Sequence, residues 1–164
     1  MGKLEPEDKA ICRIAVLTGY RIDDIIRSQR EDWNGETITL REAKTGKKRT
    51  VYNCAEIRAE LKELDKSAVR RRRAGELCPG RRQRKGDGPY LARSTIWRHW
   101  KTAARKAGYA GRGYTVHSLR RCYAVGIWKR TRDLEAVRQD LGHDRSTTTW
   151  IYLQDALEAA LRSI

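Results

Sequence analysis

Thr37-Ile38-Thr39-Leu40 alternates polar and apolar side chains, Thr50-Val51-Tyr52 offers it a partner, and Lys44-Thr45-Gly46-Lys47 lies between them. A period of two puts Ile38 and Leu40 on one face of an extended strand, and a polar tetrad containing Gly is turn composition. The stretch therefore predicts an antiparallel hairpin, set apart from the helical spacing around it. Upstream, Ile11, Ile14 and Leu17 share one helix face after Pro6, with a stop near Gly19. Ile22, Ile25 and Ile26 predict a short helix carrying Asp23 and Asp24 in its first turn, where the helix dipole favours acids. Downstream, Ile57, Leu61 and Leu64 mark another helix. Ile96, Trp100, Ala103 and Ala107 mark the next, with Ser94 or Thr95 as cap and Gly108 as stop. Leu119, Tyr123, Gly126 and Ile127 follow Thr115. Asp133 caps a helix of Leu134, Val137 and Leu141 that Gly142 ends. Ser146 or Thr147 opens a short helix, and Ala156, Leu157, Ala160 and Leu161 form the last one. The fold class expected is mainly α with one small antiparallel β-sheet.

The 164 residues suit a single domain. Charged residues make up 35% and apolar ones 39%, so a core is available only if every element is amphipathic. No apolar run approaches the roughly 18 residues of a membrane span, and Met1-Gly2-Lys3-Leu4-Glu5 lacks a signal-peptide core. Neither a membrane protein nor a secreted one is expected. Cys12, Cys54, Cys78 and Cys122 lie far apart with no C-x-x-C, which argues against a disulfide framework or a zinc site. The net charge of +15 creates a field that attracts a polyanion, and nucleic acid is the usual one. Between Lys66 and Pro89 nine basic residues face two acidic ones: Lys66, Arg70, Arg71, Arg72, Arg73, Arg81, Arg82, Arg84 and Lys85 against Glu76 and Asp87. With four glycines and two prolines, this stretch is expected to be a mobile basic loop at about 66–89 that tracks DNA phosphates through its arginines and Lys85.

Five places put charged or hydrogen-bonding groups where a loop meets an element: Arg21, Lys44, His117 with Arg120, His143, and Tyr152. His117 and Arg120, three apart at a helix start, project from one face. Singly each has an ordinary explanation, since a Tyr beside a Trp is commonly core and a His at a helix end commonly a cap.

Together, Thr18-Gly19-Tyr20-Arg21-Ile22-Asp23-Asp24, Lys44-Thr45-Gly46-Lys47, His117-Ser118-Leu119-Arg120, Leu141-Gly142-His143 and Thr149-Trp150-Ile151-Tyr152 resemble the motifs of the tyrosine recombinase (phage integrase) family. Order and register agree, including the nine-residue step from His143 to Tyr152, and the resemblance runs from about residue 10 to 160. It implies the family's catalytic-domain fold across residues 1–164, with the family's N-terminal DNA-clamping domain absent. It also implies roles: Arg21 and Arg120 clamp the scissile phosphate, Lys44 protonates the leaving 5′-oxygen, and His117 and His143 handle a proton and hydrogen-bond the phosphate. Tyr152 would be the nucleophile that forms a 3′-phosphotyrosyl link, with no metal, cofactor or nucleotide energy needed.

Elementary chemistry makes the set sensible in its own right. A free phenol has a pKa near ~10, so an attacking Tyr needs a base or cationic surroundings. Arginine forks fit phosphoryl oxygens as charge builds on them. A leaving alkoxide needs a proton, which a Lys among arginines can give. Asp24, one turn after Arg21, could hold that guanidinium or simply offset the helix dipole. Three positions depart from the family pattern: Arg121 where His is frequent, Asp24 where Glu is common, and Tyr20 in place of a usual Leu.

The function implied is that of a site-specific recombinase or integrase, an enzyme that cuts and rejoins the strands of double-stranded DNA in a mobile-element or chromosomal setting. Protomers, monomeric in isolation, would assemble on DNA as a tetramer in the synapse, with Ala156, Leu157, Ala160 and Leu161 as the apolar stripe of a C-terminal helix. The setting expected is cytoplasmic and nucleoid-associated, in a prokaryotic or viral host. Two alternatives stay open: a DNA-binding module of the same fold that no longer cuts, and a topoisomerase-like enzyme that relaxes DNA by the same chemistry. A generic basic RNA-binding protein accounts for the charge but not for the order of the motifs.

Overall fold

The computed structural model describes residues 2–70, 75–80, 90–111, 113–144 and 146–161, with side chains except for 67–70 and 155–161. The chain runs α1 (Pro6–Thr18), α2 (Ile22–Arg27), a 3-10 turn (Arg30–Trp33), β1 (Thr37–Arg41), β2 (Lys48–Tyr52), α3 (Ala55–Arg70), α4 (Arg93–Lys106), α5 (His117–Thr131), α6 (Leu134–Asp140) and α7 (Ser146–Leu161). It is mostly helical with one two-stranded antiparallel sheet, as the hairpin and the helical spacings predict. The strands pair Ile38 with Val51 and Leu40 with Arg49. Among the described residues no helix is long and apolar enough to cross a membrane.

Two clusters of buried side chains form the interior. The larger gathers α1, α2, the hairpin and α3 around Ile11, Ile14, Ile25, Trp33, Ile38 and Leu61, and it takes in Ile96 of α4 and Leu119 of α5. The smaller consists of Ala124, Ile127, Val137, Leu141 and Leu153, from α5, α6 and α7. Helix α5 belongs to both, so its first turn sits at the seam between them. Tyr20 seals the seam from the other side. Its ring is fully buried, and its hydroxyl reaches the carbonyls of Ile38 and Arg49, one on each strand, donating to one at a time.

Several boundaries differ from the sequence expectation. Ser94 and Thr95 lie inside the first turn of α4, whose N-cap is Ala92, and the two helices expected after Gly142 are one, α7. The stretch expected as one loop is divided. Residues 66–70 finish α3, because Leu61 and Leu64 anchor the turns before them in the core. Residues 75–80 are pinned: Leu77 N–H donates to the Ser28 carbonyl (3.2 Å), Arg30 N–H to Gly75 (2.7 Å) and Leu91 N–H to Cys78 (2.8 Å). The cause is the apolar pair Leu77-Cys78, which is buried despite the glycines and prolines around it. Arg71, Arg72, Arg73, Arg81, Arg82, Arg84, Lys85 and the side chain of Arg70, assigned from sequence to DNA binding, lie outside the described residues.

Gly19 closes α1 in the left-handed region (φ 66°), its N–H bonded to the Ala15 carbonyl. A Cβ there would run into the ring of Tyr123 on α5. Gly19→Ala combines left-handed strain with overpacking, and should lower unfolding stability by about 2–4 kcal/mol. The shift of the urea midpoint relative to the unchanged chain measures it.

Candidate active site

The six side chains singled out from sequence line one cleft of about 320 Å³, at the seam between the two clusters. Arg21 is the residue just before α2, and Lys44 lies in the turn between β1 and β2. His117 and Arg120 stand on the first turn of α5, His143 follows α6, and Tyr152 lies on α7.

Arg120 is the deepest. Only 1% exposed, it donates from Nη1 to the Gly19 carbonyl (2.7 Å) and from Nη2 to the Leu141 carbonyl (2.5 Å), and its Nη1 stands 3.1 Å from Glu42 Oε1. Its Nε has no hydrogen-bond partner among the described residues, an orphan donor of the kind an oxyanion satisfies. Arg21, a fifth exposed, places Nη1 2.5 Å from the other oxygen of Glu42. Glu42 therefore bridges the two guanidiniums. Burial works to raise its carboxyl, but the Arg21 contact and the charges of Arg120 and Arg21 outweigh that and hold it below the usual range.

Asp24 stands further off, 3.9 Å from Arg21 Nη1, and accepts the Ala43 N–H at 2.9 Å. Its chief role is thus to brace the turn that holds Lys44. Burial raises its carboxyl in spite of that bond.

Both histidines of the cleft are pushed toward the neutral form. His143 is 7% exposed, with Nδ1 3.0 Å from Thr149 Oγ1. Burial first, then the charges of Arg120 and Arg21, push it down to about 4. Its loop is fixed by Gly142 at φ 64° and by two bonds exchanged with Arg138: the His143 N–H donates to the Arg138 carbonyl (3.0 Å), and Arg138 Nη1 donates to the His143 carbonyl (2.7 Å). His117 is lowered by burial, then by Arg93, Arg21, Arg120 and Lys44. A neutral imidazole can accept a proton, which an imidazolium cannot. The ring of Tyr152, half-buried, lies 5.0 Å from that of His143. Arg121, which departs from the pattern, reaches toward the carbonyls of Ile151 and Tyr152 at 3.5 Å and so ties α5 to α7.

The phage integrase family model matches residues 2–158. The chain belongs to the phage integrase family. The tyrosine recombinase XerA of Pyrococcus furiosus is 32% identical over 168 residues, covering 94% of this chain and 56% of its own length. The chain spans about half the length of the curated relatives it matches. In fold it is similar to a lambda integrase dimer (residues 75–356) bound to a COC′ core site, with TM-score 0.71 and 19% identity over 89% of this chain and 51% of that one. XerH bound to its difH substrate in a pre-cleavage complex gives TM-score 0.67 and 24% identity, over 94% and 46%.

In and beside the hairpin, two buried charges went unnoticed in the sequence. Glu42 is 1% exposed and Arg49 8%. Both carried a signal in the strand period: Glu42 continues the inward phase of Ile38 and Leu40, and Arg49 shares that of Val51. Arg49 stacks 4.1 Å from the Tyr20 ring centroid and donates to the carbonyls of Thr18 (2.5 Å) and Asp140 (3.1 Å), which fixes the floor under the cleft.

The His143 shift has a thermodynamic consequence. An unfolded His titrates near ~6.5, so below that pH the unfolded chain binds a proton that the folded one refuses until about 4. The stabilisation from neutral His143 is complete above about 6.5 and is lost as pH falls toward 4, by at most about 3 kcal/mol. Urea midpoints between pH 4.5 and 7.5 should fall less steeply with acid in His143→Gln than in the unchanged chain. Parallel curves would deny the shift.

Proposed function

We propose that the chain is the strand-cutting and strand-joining unit of a site-specific DNA recombinase or integrase. The observation that carries this is the convergence of Arg21, Lys44, His117, Arg120, His143 and Tyr152, from five separate stretches, on one cleft. Tyr152 Oη attacks the scissile phosphorus, a bond from phosphorus to Oη forms, and the bond to the 5′-oxygen breaks. The phenolic proton passes to a neutral imidazole, and Lys44 returns one to the 5′-oxygen. Arg21 and Arg120 hold the phosphoryl oxygens, where fixed donors in a site that excludes water are most effective. The link to Tyr152 keeps the phosphodiester's bond energy, so the reverse attack by another strand's 5′-hydroxyl rejoins DNA without a metal or a nucleotide.

The net charge of +15 and the basic residues between 66 and 89 supply sequence-independent affinity for double-stranded DNA. Strand exchange needs two sites and hence protomers that assemble on DNA, four in the synapse, with α7 carrying the contact between neighbours. The setting is nucleoid DNA, as the prokaryotic relatives suggest.

Covalent capture on nicked duplexes, in EDTA and followed by denaturation, should yield an adduct that maps to Tyr152 and is lost in Tyr152→Phe while DNA binding persists. An adduct on another residue would overturn the site. Binding without any adduct would favour the non-cutting module, and relaxed circles without exchanged strands the topoisomerase-like enzyme. Since Leu77 and Cys78 belong to the core, the basic stretch is better tested by substitution than by deletion. Changing Arg70, Arg71, Arg72 and Arg73 to Gln should reduce the slope of log affinity against log salt by about 0.9 for each phosphate contact removed.

A further inference from the structure

Among the described residues, Glu42 is the one carboxylate that touches both arginines of the cleft, and its surroundings exceed what neutralising them requires. Oε1 lies 3.1 Å from Arg120 Nη1 and Oε2 lies 2.5 Å from Arg21 Nη1. Oε2 also accepts a hydrogen bond from Thr45 Oγ1 at 2.9 Å. Thr45 is the neighbour of Lys44. The backbone of Glu42 closes the same turn, its N–H donating to the Lys47 carbonyl (2.9 Å) and its carbonyl accepting from Gly46 N–H (2.8 Å). The Lys44 side chain itself is exposed, on a turn whose Gly46 stands in the left-handed region at φ 70°. Arg120 cannot follow a moving partner, since the Gly19 and Leu141 carbonyls also hold it. The fixed point is Arg120, the adjustable one is the turn, and Glu42 joins them.

We propose that Glu42 is a positioning residue that couples the arginine pair to the turn carrying Lys44, so that the proton donor is set in register with the bound phosphate. The proposal rests on the function above and adds a specific route by which the clamp and the general acid are aligned. An ångström of misplacement at a reacting group costs on the order of a hundredfold in rate, so a loosely held Lys44 would be costly. A carboxylate suits the task because both oxygens accept, whereas the amide of Gln offers one acceptor and turns donors toward the other arginine.

The experiment uses two substrates, a normal phosphodiester and one with sulfur in place of the bridging 5′-oxygen. A thiolate leaves without needing a proton, since its conjugate acid is many units stronger than an alcohol. Four proteins are compared: the unchanged chain, Lys44→Ala, Glu42→Gln and Thr45→Val. The last removes the tie from Glu42 to the turn, together with the bond that Thr45 Oγ1 accepts from Lys47 N–H (3.3 Å), and leaves both arginine contacts in place. Lys44→Ala should be slow on the oxygen substrate and recover on the sulfur one. Glu42→Gln and Thr45→Val should each lose about ten- to a hundredfold on the oxygen substrate, keep DNA affinity, and recover most of that loss on the sulfur one. If Lys44→Ala recovers and the other two do not, Glu42 acts on the arginines alone and the proposal fails. If Lys44→Ala itself does not recover, the general-acid role of Lys44 fails instead. Full activity of Thr45→Val on the oxygen substrate would also overturn the coupling, and urea midpoints for each variant separate it from loss of fold.

Discussion

Burying the Arg120 guanidinium is the constraint on which the rest of the structure depends. A charge taken out of water is costly unless it is paired and hydrogen-bonded, so the side chain can be only 1% exposed because its surroundings were built to receive it. Its partners come from three places: the end of α1 through Gly19, the end of β1 through Glu42 and the end of α6 through Leu141. None of the three is local to Arg120 in sequence, and each lies beside another residue of the cleft. Gly19 precedes Arg21 by two residues, Glu42 precedes Lys44 by two, and Leu141 precedes His143 by two. The guanidinium therefore sets the spacing of the cleft as it satisfies its own hydrogen bonds.

The same crowding governs protonation. Burial first, then Arg93, Arg21, Arg120 and Lys44, lowers His117, and burial first, then Arg120 and Arg21, lowers His143, so both imidazoles resist charging more than free ones do. Burial among fixed cations thus leaves two imidazoles in the cleft that are less basic than free ones. The cleft needs few carboxylates to hold together. Glu42 is ionised and shared, while burial raises Asp24.

Much of this was legible in the residues. The hairpin showed as a period of two, the short helix before it as Ile22, Ile25 and Ile26, and the α6 cap as Asp133, whose carboxylate accepts from Glu135 and Ala136 N–H. Five of the six cleft residues were visible because each lies at or within a turn of an element boundary, where a short motif fixes both backbone and side chain; Tyr152, expected at such a boundary, lies inside α7 and was legible through its nine-residue step from His143. What was missed depends on contacts far apart in sequence. Leu77-Cys78 looks like part of a glycine-rich loop until Ser28 and Leu91 are seen to hold its backbone. The join of two expected helices into α7 hinges on the buried side chains of Thr149 and Leu153, which give one continuous inward face through the Tyr152 turn. Glu42 and Arg49 broke the apolar phase of a strand, which in a solvent-facing hairpin would mean nothing and in a buried one marks an ion pair.

That last distinction carries a wider consequence for how the cleft is tuned. A charge on the inward phase of a strand survives only if another buried charge or a set of carbonyls answers it, so Glu42 and Arg120 form a matched pair, and removing either costs the other a buried partner. Arg120 has further acceptors in the Gly19 and Leu141 carbonyls, and Glu42 has further donors in Arg21 and Thr45. The asymmetry is that the additional partners of Arg120 are backbone and fixed, whereas those of Glu42 are side chains that a competing oxyanion can redirect. On the function proposed above, an entering phosphate would draw on Arg21 first, the more exposed of the two arginines, and among the described residues the nearer carboxylate contact it must weaken is the one to Glu42 (2.5 Å), ahead of Asp24 at 3.9 Å. The hairpin turn, with its exposed residues and Gly46 in the left-handed region, is the part of the linkage with the freedom to accommodate that exchange, whereas the core partners of Arg120 are fixed backbone carbonyls.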